Sequence, residues 1–212
     1  MEKTIQFKYI VYIMPDFSIE DKVQGMVAGV DEAGRGPWAG PVIAAAVIVN
    51  RADFPEGVDD SKKIKAEKRE LLYKHIIETC QVGIGSSSAE EIDEINILQA
   101  TMLAMKRAVE NLPTLPHTAL IDGNKAPKIQ CNTVTIVKGD AKSLSIAAAS
   151  IIAKVTRDRI MANLALEYPA YGWNTNSGYG TKIHQNALLQ YGITAHHRKS
   201  YKPIAKIILE NL

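Results

Sequence analysis

The chain has 212 residues, of which 46% are hydrophobic and 23% are charged. This composition is typical of a globular protein, and it excludes disordered, collagen-like and disulfide-scaffold classes. The formal net charge of +2 hides an asymmetry: residues 1–122 carry 13 basic and 19 acidic side chains, whereas residues 123–212 carry 12 basic and 4 acidic ones. The first part could therefore hold cations and the second part a polyanion.

Cysteine usage and apolar runs indicate the compartment. Cys80 and Cys131 form no CxxC pair, which predicts a reduced chain with two buried thiols. The longest apolar run, 42–49, is far shorter than the ~20 residues of a membrane-spanning helix. The apolar stretch 9–14 is followed by Pro15-Asp16 with no small-residue cleavage site, which is a poor signal peptide. We therefore expect a soluble cytoplasmic protein that does not enter a membrane.

Apolar and β-branched segments predict five strands, at residues 25–31, 42–49, 81–86, 118–122 and 133–137. Longer patterns predict helices over residues 62–78, 88–110, 141–167, 182–190 and 203–212. The second of these begins at a capping box, Ser88-Ala-Glu-Glu91. The order predicts a mixed sheet, with a parallel crossover before the fourth strand and an α-helical C-terminal appendage.

Four acidic residues lie at or just after the ends of predicted strands: Asp31, Glu32, Asp122 and Asp140. Open sheets place their ligand-binding residues at such strand ends. Carboxylates gathered at one place repel one another unless a cation joins them. Oxygen ligands without a nearby His or Cys cluster favour Mg²⁺ or Mn²⁺ over zinc. Two such ions ~4 Å apart can activate a water and stabilise the leaving oxygen in phosphodiester hydrolysis.

Two members of this cluster have more than one interpretation. Adjacent residues of a regular strand face opposite ways, so Asp31 and Glu32 point into one site only if the strand breaks between them. Otherwise Glu32 acts through its backbone carbonyl or by supporting another ligand. Asp140 could simply be the N-cap of the long helix, and each acid taken alone could merely end a strand or cap a helix.

The loop after the first strand contains Gly34-Arg35-Gly36-Pro37, which offers backbone N–H groups and a guanidinium in a conformationally permissive segment. Such a loop can approach a sugar or a phosphate closely, although it could also be an ordinary glycine turn. It is not the dinucleotide-binding fingerprint. The next glycine, Gly40, comes one residue late, and a strand pattern follows instead of a helix.

Gly29-Val-Asp-Glu-Ala-Gly-Arg-Gly-Pro-Trp-Ala-Gly-Pro-Val42 resembles the signature opening of bacterial type 2 ribonuclease H (ribonuclease HII). The resemblance continues in order through several further motifs: Asp60-Ser-Lys-Lys63, Asn96-Ile-Leu-Gln-Ala-Thr101, Ile121-Asp-Gly-Asn124, Lys138-Gly-Asp-Ala-Lys-Ser143, Ser145-Ile-Ala-Ala-Ala-Ser-Ile-Ile-Ala-Lys-Val155, Arg157-Asp158, Gly178-Tyr-Gly-Thr-Lys182 and His197-Arg-Lys-Ser-Tyr201. These motifs span roughly residues 25 to 205, so the resemblance covers nearly the whole chain except its N-terminal segment.

The resemblance implies an α/β fold with a ribonuclease H-like core, a five-stranded mixed sheet flanked by helices. It assigns metal binding and catalysis to Asp31, Glu32, Asp122 and Asp140, with Mn²⁺ or Mg²⁺ as the cofactor. We accordingly expect residues 25–167 to form the catalytic core. Residues 168–212 would be a helical region that closes over the substrate, and residues 1–24 an N-terminal extension of unknown role.

The resemblance also implies which groups read the substrate. Gly34, Arg35, Gly36 and Tyr179 would together inspect the 2′-hydroxyl at an RNA–DNA junction, the group that distinguishes RNA from DNA. The implied substrates are RNA–DNA hybrids and duplex DNA with embedded ribonucleotides. Cleavage 5′ to the ribonucleotide would leave 3′-hydroxyl and 5′-phosphate ends. We expect the enzyme to act as a monomer.

Several basic or polar residues are candidate phosphate contacts: Lys62, Lys142, Ser143, Lys182 and Arg198. Lys142 and Ser143 stand at the predicted start of the long helix, where the helix dipole favours anions. The sequence departs from the family pattern at Trp38 (more usually Leu), Ile193 (often Pro) and Tyr201 (commonly Phe). None of these departures affects the four carboxylates.

Two other interpretations remain open at this stage. A transposase- or Holliday-junction-type nuclease also uses clustered acids, but it has no need for a reader of the 2′-hydroxyl. A non-catalytic nucleic-acid-binding module is a third possibility, and four intact carboxylates argue against it because they repel phosphate.

Overall fold

The computed structural model describes residues 14–210. Expectations for residues 1–13 and 211–212, which include most of the N-terminal extension and the end of the last predicted helix, lie outside the described residues. Within residues 14–210, none of the helices combines the length and the apolar character that crossing a bilayer requires.

A five-stranded mixed sheet forms the centre of the fold. Its strands are β1 (Val27–Ala33), β2 (Val42–Ile48), β3 (Gln81–Ser87), β4 (Thr118–Asp122) and β5 (Asn132–Ile136), in the spatial order β3-β2-β1-β4-β5. The first three strands are an antiparallel meander, whereas β4 lies parallel to β1 and β5 parallel to β4. The predicted mixed sheet and its parallel crossover are confirmed.

Helices flank both faces of this sheet. The described residues form six α-helices: α1 (Ala66–Thr79), α2 (Ala89–Glu110), α3 (Leu144–Glu167), α4 (Trp173–Asn176), α5 (Lys182–Tyr191) and α6 (Lys202–Glu210). One face of the sheet packs on α2 and the other on α1 and α3. Because side chains alternate along a strand, β2 supplies Ala44 to the α2 side and Ile43 to the α3 side. Burial on both faces explains why β2 is a continuous apolar run.

Helix α3 lies directly on β1 at Gly29. A Cβ atom at this position would fall 2.0 Å from the backbone carbon of Ser145, in the first turn of the helix. Only a residue without a side chain therefore allows the helix to approach the strand so closely. The contact places the N-terminal end of α3 beside the end of β1, where Asp31 and Glu32 lie.

The described part of the N-terminal extension holds the start of α3. Glu20 is 5% exposed, and its Oε1 accepts hydrogen bonds from Ser143 Oγ (2.6 Å), Ser145 N (3.0 Å) and Ser145 Oγ (2.7 Å). An isolated β-bridge joins Asp16 to Ser143. A carboxylate at a helix N-terminus is favourable, because the unpaired N–H groups there carry partial positive charge. This segment therefore fixes the turn that carries Asp140.

The C-terminal region packs its own apolar cluster against the end of α3. Trp173, Leu188 and Ile204 are completely buried there together with Met161 of α3. Helix α6 contributes one apolar face to this cluster, which explains the regular spacing of its isoleucines.

Two helices begin later than the sequence predicts. Helix α1 begins at Ala66 and not at Lys62, because Asp60 turns the chain: its Oδ1 accepts the N–H of Lys62 at 2.9 Å. Helix α3 begins at Leu144 and not near Ala141. A 3₁₀ turn, Gly139–Ala141, precedes it, and Ser143 caps the helix by accepting the N–H of Ile146. The alternative that Asp140 is the N-cap of this helix is therefore wrong.

Candidate active site

Three carboxylates meet at one edge of the sheet. Each of Asp31, Glu32 and Asp122 offers an oxygen that lies within 4.8 Å of the oxygens of the other two. Pairing between β1 and β4 ends at Val30 and Ile121, so Asp31 and Asp122 are the next residues on two parallel neighbours. They lie side by side for the reason that the sequence indicated, since the carboxyl ends of parallel strands meet at one edge.

Glu32 reaches this cluster without a break in the strand. Strand β1 continues through Ala33 and still pairs Glu32 with Ala44 of β2. The alternative that the strand breaks between Asp31 and Glu32 is therefore wrong. The backbone N–H of Glu32 donates to Asp31 Oδ1 at 2.7 Å, which holds the Asp31 carboxylate back against the strand. Because β4 no longer pairs with β1 here, the longer side chain of Glu32 can reach the same edge.

The cluster is electrostatically strained. Burial raises the pKa of Asp31 well above its ordinary value, and the charges of Glu32 and Asp122 raise it further. Burial likewise raises the pKa of Glu32, although Arg35, whose Nη1 lies 3.3 Å from Glu32 Oε1, opposes the shift. Carboxylates that raise one another's pKa in this way need a cation to remain fully ionised together.

Asp140 lies beside this group but outside the set that converges within 4.8 Å. It sits in the 3₁₀ turn before α3 and is 9% exposed. Burial raises its pKa, and the charges of Asp60 and Asp122 raise it further. The turn is tied to β4, because the N–H of Gly139 donates to Asp122 Oδ1 at 2.6 Å.

Lys62 is a second cation that interacts with the cluster, in addition to Arg35. Burial lowers the pKa of Lys62, but the charges of Asp31, Asp60 and Asp140 outweigh this effect, and the net shift is upward. Lys62 therefore stays protonated beside the carboxylates. Asp60 is a participant that the sequence did not single out, although it opens the quoted motif Asp60-Ser-Lys-Lys63.

The donor set fits hard divalent cations. It is made entirely of carboxylate oxygens, and the described residues around it contribute no His or Cys ligand. Mg²⁺ and Mn²⁺ prefer such oxygen ligands. Asp31, Glu32 and Asp122 would hold the ion, and Asp140 lies near enough to interact electrostatically with Asp122.

The glycine loop and Tyr179 are in contact, and both line a groove beside the carboxylates. The groove has a volume of about 360 Å³ and is lined by Glu32, Gly34–Gly36, Lys62 and Tyr179, among others. A Cβ at Gly36 would lie 3.3 Å from Tyr179 Cε1, so the ring rests on the loop backbone. Tyr179 is 53% exposed and faces the groove. The structure thus brings together the two elements that the resemblance assigned to the 2′-hydroxyl.

Arg198 corrects one of the predicted phosphate contacts. It is completely buried, and its guanidinium donates to the backbone carbonyls of Gly34, Arg35 and Gly40. A side chain with no exposure cannot meet a phosphate, so Arg198 holds the glycine loop from behind. The sequence offered only its charge, which does not show whether a basic residue faces solvent or carbonyl groups.

Ser143 is a second correction. It is completely buried, and its hydroxyl is engaged with Glu20 and the N–H of Ile146. The N-terminus of α3 is thus occupied by a carboxylate of the chain itself. Lys142, placed before the helix, is exposed and donates to Val137 O at 2.7 Å. Lys182 is exposed at the start of α5.

Arg157 is a structural participant that reasoning from the sequence missed. It is 2% exposed and donates to the carbonyls of Pro41, Ala39 and Ser177, which joins the segment after the glycine loop to the segment before Tyr179. Burial in this position lowers its pKa to about 10. The one sequence feature that pointed to Arg157 is that it belongs to the family motif Arg157-Asp158.

Comparison with known proteins decides the family. The model of the family described as Ribonuclease HII matches residues 28–204 of this chain. The chain belongs to the ribonuclease HII family. It is therefore a nuclease of the ribonuclease H type, and the resemblance seen in its motifs is confirmed.

Individual relatives agree with this assignment. The chain is 53% identical over 195 residues to "Ribonuclease HII" of Jannaschia sp. (strain CCS1), covering 92% of this chain and 98% of that protein. It is also 53% identical over 191 residues to "Ribonuclease HII" of Wolbachia sp. subsp. Brugia malayi (strain TRS), covering 90% and 94%.

Among solved structures, the ribonuclease H2 from Pyrococcus horikoshii OT3 is similar with a TM-score of 0.73 and 29% identity, over 87% of this chain and 97% of that one. Bst-RNase HIII, solved in complex with Mn²⁺, has a TM-score of 0.71 at 21% identity, over 87% of this chain and 70% of that one, which supports the fold alone.

Proposed function

We propose that this member of the ribonuclease HII family is a metal-dependent endonuclease that cleaves the RNA strand of RNA–DNA hybrids. It would also nick duplex DNA on the 5′ side of embedded ribonucleotides. The observation that carries the proposal is the placement of Asp31, Glu32 and Asp122 beside the contact between Gly36 and Tyr179. A cluster that can hold divalent cations thus lies next to a narrow groove suited to a sugar.

The carboxylates would hold Mg²⁺ or Mn²⁺ at the sheet edge. Two divalent ions bound there would activate a water and stabilise the leaving oxygen. Asp31 and Asp122 extend from neighbouring parallel strands, and a carboxylate oxygen of Glu32 lies within 4.8 Å of an oxygen of each. Lys62, protonated beside the cluster, offers a positive charge to the phosphate as it enters the groove.

The glycine loop and Tyr179 would select the position of the cut. Gly34 has a φ of +99° and no room for a Cβ, which would fall 2.1 Å from Arg157 Nε. Glycine at this position therefore lets the loop take this conformation with Arg157 packed against it, and the loop backbone lines the groove. Backbone groups could then bond the 2′-hydroxyl, while the exposed ring of Tyr179 packs on the adjoining deoxysugar.

We also infer the setting of this activity. RNA–DNA hybrids and ribonucleotide-containing duplex DNA are the proposed partners, and a monomer in the cytoplasm is the proposed working form. The lysines around the groove support a salt-sensitive affinity for such polyanions.

The test uses duplex DNA with one ribonucleotide, labelled on the strand that contains it, incubated with Mn²⁺, with Mg²⁺ and with EDTA. We expect a nick on the 5′ side that requires the metal and leaves a 3′-hydroxyl and a 5′-phosphate. Asp122→Asn should bind the duplex but not cut it, whereas Asp53→Asn, a surface change in an exposed pair with His75, should cut normally. Cleavage that continues in EDTA, or in Asp122→Asn at the wild-type rate, would show that the carboxylate site is wrongly assigned.

A further inference from the structure

Two histidines that the proposed chemistry does not use are buried beneath Tyr179. His184 of α5 is completely buried and His197 is 1% exposed. Their Nε2 atoms lie 2.9 Å apart. His184 Nδ1 lies 3.0 Å from the backbone carbonyl oxygen of Tyr179. The pair therefore connects the C-terminal tail to the residue that faces the substrate groove.

The surrounding donors determine where the protons lie. The N–H of Thr194 donates to His197 Nδ1 at 2.9 Å, so this nitrogen is an acceptor and a neutral His197 carries its proton on Nε2. That proton points to His184 Nε2, which must then be an acceptor. Trp173 Nε1, which can only donate, lies 3.3 Å from the same His184 nitrogen and gives the same answer.

The remaining proton of His184 is consequently on Nδ1, and it is donated to the Tyr179 carbonyl. The chain of hydrogen bonds runs in one direction, from Thr194 through His197 and His184 to Tyr179. A second proton on either ring would place two donors face to face between the histidines. Burial keeps both rings neutral: it lowers the pKa of His184, and it lowers that of His197 to about 3.

These bonds fix the backbone of Tyr179 and leave its ring free. The carbonyl of Tyr179 also accepts the N–H of Thr181 at 2.8 Å, so both acceptor positions of that oxygen are filled. Trp38 packs against the next residue, since a Cβ at Gly180 would lie 2.2 Å from its ring. The ring of Tyr179 meanwhile stays exposed against Gly36.

We propose that His184 and His197 are positioning residues that set the selectivity of the enzyme for single embedded ribonucleotides by fixing the backbone of Tyr179 at its distance from Gly36. The inference rests on the proposed function. Hybrids with long RNA strands present a 2′-hydroxyl at every step and depend less on one exact placement of the ring. Selectivity should therefore change more than cleavage itself.

Two isosteric substitutions separate the donor from the rest of the ring. Asparagine places its amide nitrogen where His184 has Nδ1, so His184→Asn keeps the donor to Tyr179. Glutamine places its amide at the position of Nε2, so His184→Gln loses that donor and keeps a polar contact to His197. His196→Gln is the matched control, because His196 packs on Tyr168 and Trp173 outside the hydrogen-bond chain.

The readout is the ratio of kcat/KM on single-ribonucleotide duplex to kcat/KM on an all-RNA hybrid. We expect His184→Gln to lower this ratio roughly tenfold, which is the effect of losing one buried hydrogen bond. His184→Asn should stay within about twofold of the wild type, as should His196→Gln. The inference would be overturned if His184→Gln and the wild type had equal ratios. It would also be overturned if the ratio fell in His184→Asn but not in His184→Gln.

A spectroscopic measurement on the wild type tests the hydrogen-bond chain even if a variant fails to fold. Nitrogen-15 NMR of the histidine rings at neutral pH should show His184 protonated on Nδ1 and His197 on Nε2. Any other pair of tautomers, or a charged ring, would overturn the inference. A wild-type enzyme that does not nick at a single ribonucleotide would refute the proposed function itself. A wild type that nicks, with a Gln variant of unchanged ratio, would refute only the role of the histidines.

Discussion

Replacing Asp31 with asparagine should make the metal-free protein more stable while it removes a carboxylate from the proposed metal site. The carboxylate of Asp31 is buried, and its oxygen lies within 4.8 Å of those of Glu32 and Asp122. Two unit charges at that distance repel by roughly 3 kcal/mol at an effective dielectric constant of 20. The Asp31→Asn substitution would remove this repulsion but keep a side-chain oxygen to accept the N–H of Glu32.

Proton uptake by the cluster already relieves part of this repulsion in the wild type. We therefore expect Asp31→Asn to raise the free energy of unfolding by about 1–2 kcal/mol in EDTA at neutral pH. For a chain of this size the gain corresponds to a rise in Tm of about 2–8 °C. The control is Asp53→Asn, an exposed surface position that should change the free energy of unfolding by less than about 0.5 kcal/mol.

Mn²⁺ should reverse this order of stability. At one hundred times its Kd, a ligand that binds only the folded state stabilises it by about 2.7 kcal/mol. Mn²⁺ should stabilise the wild type by that amount and Asp31→Asn by much less. Thermal unfolding with and without Mn²⁺ measures this difference directly. The reasoning is refuted if Asp31→Asn is no more stable than the wild type in EDTA, or if Mn²⁺ stabilises both proteins equally.

Three further predictions concern the groups that support the site. Because the pKa of His197 is lowered to about 3 in the folded protein, the unfolded chain binds an additional proton below its ordinary value of 6.5. Stability should therefore fall as the pH drops from about 6.5 toward 3, with a contribution of roughly 1.4 kcal/mol per pH unit from this residue. The free energy of unfolding, measured with urea at several pH values, should depend less steeply on pH in His197→Asn than in the wild type. An identical pH dependence in the two proteins would refute the neutral histidine. Glu20→Ala should lower the free energy of unfolding by about 2–4 kcal/mol, because it leaves the buried donors of Ser143 and Ser145 without an acceptor. A loss below about 0.5 kcal/mol in urea unfolding would contradict this role. Gly36→Ala should reduce cleavage at single ribonucleotides more than cleavage of hybrids, since its Cβ would lie 3.3 Å from the ring of Tyr179. Steady-state kinetics on the two substrates tests this prediction, and an unchanged ratio would argue against it.

Much of the fold and the centre of the candidate site could be predicted from the sequence. Buried strands are visible as apolar runs, and Asp31 and Asp122 stand out because each ends such a run. Parallel strands then bring their ends together, as the register of β1 and β4 shows. The family motifs supplied the glycine loop and Tyr179, which the structure places in contact.

The sequence could not show which groups individual polar side chains form hydrogen bonds with. The sequence predicts that Arg198 and Ser143 contact phosphate. Both are instead buried, and they form hydrogen bonds with residues more than a hundred positions away in the chain. The sequence also left open how Glu32 reaches the cluster. Strand alternation fixes where its Cβ points, but β4 stops pairing with β1 just before this residue and leaves room for the side chain to turn.

The most direct test of the central claim compares two duplexes that differ in one oxygen atom. One strand carries a single ribonucleotide, and its counterpart carries the matching deoxynucleotide at the same position. With Mn²⁺ present, we predict a nick immediately 5′ to the ribonucleotide and no cleavage of the deoxy counterpart. Equal cleavage of the two duplexes, or cleavage of neither, would contradict the account.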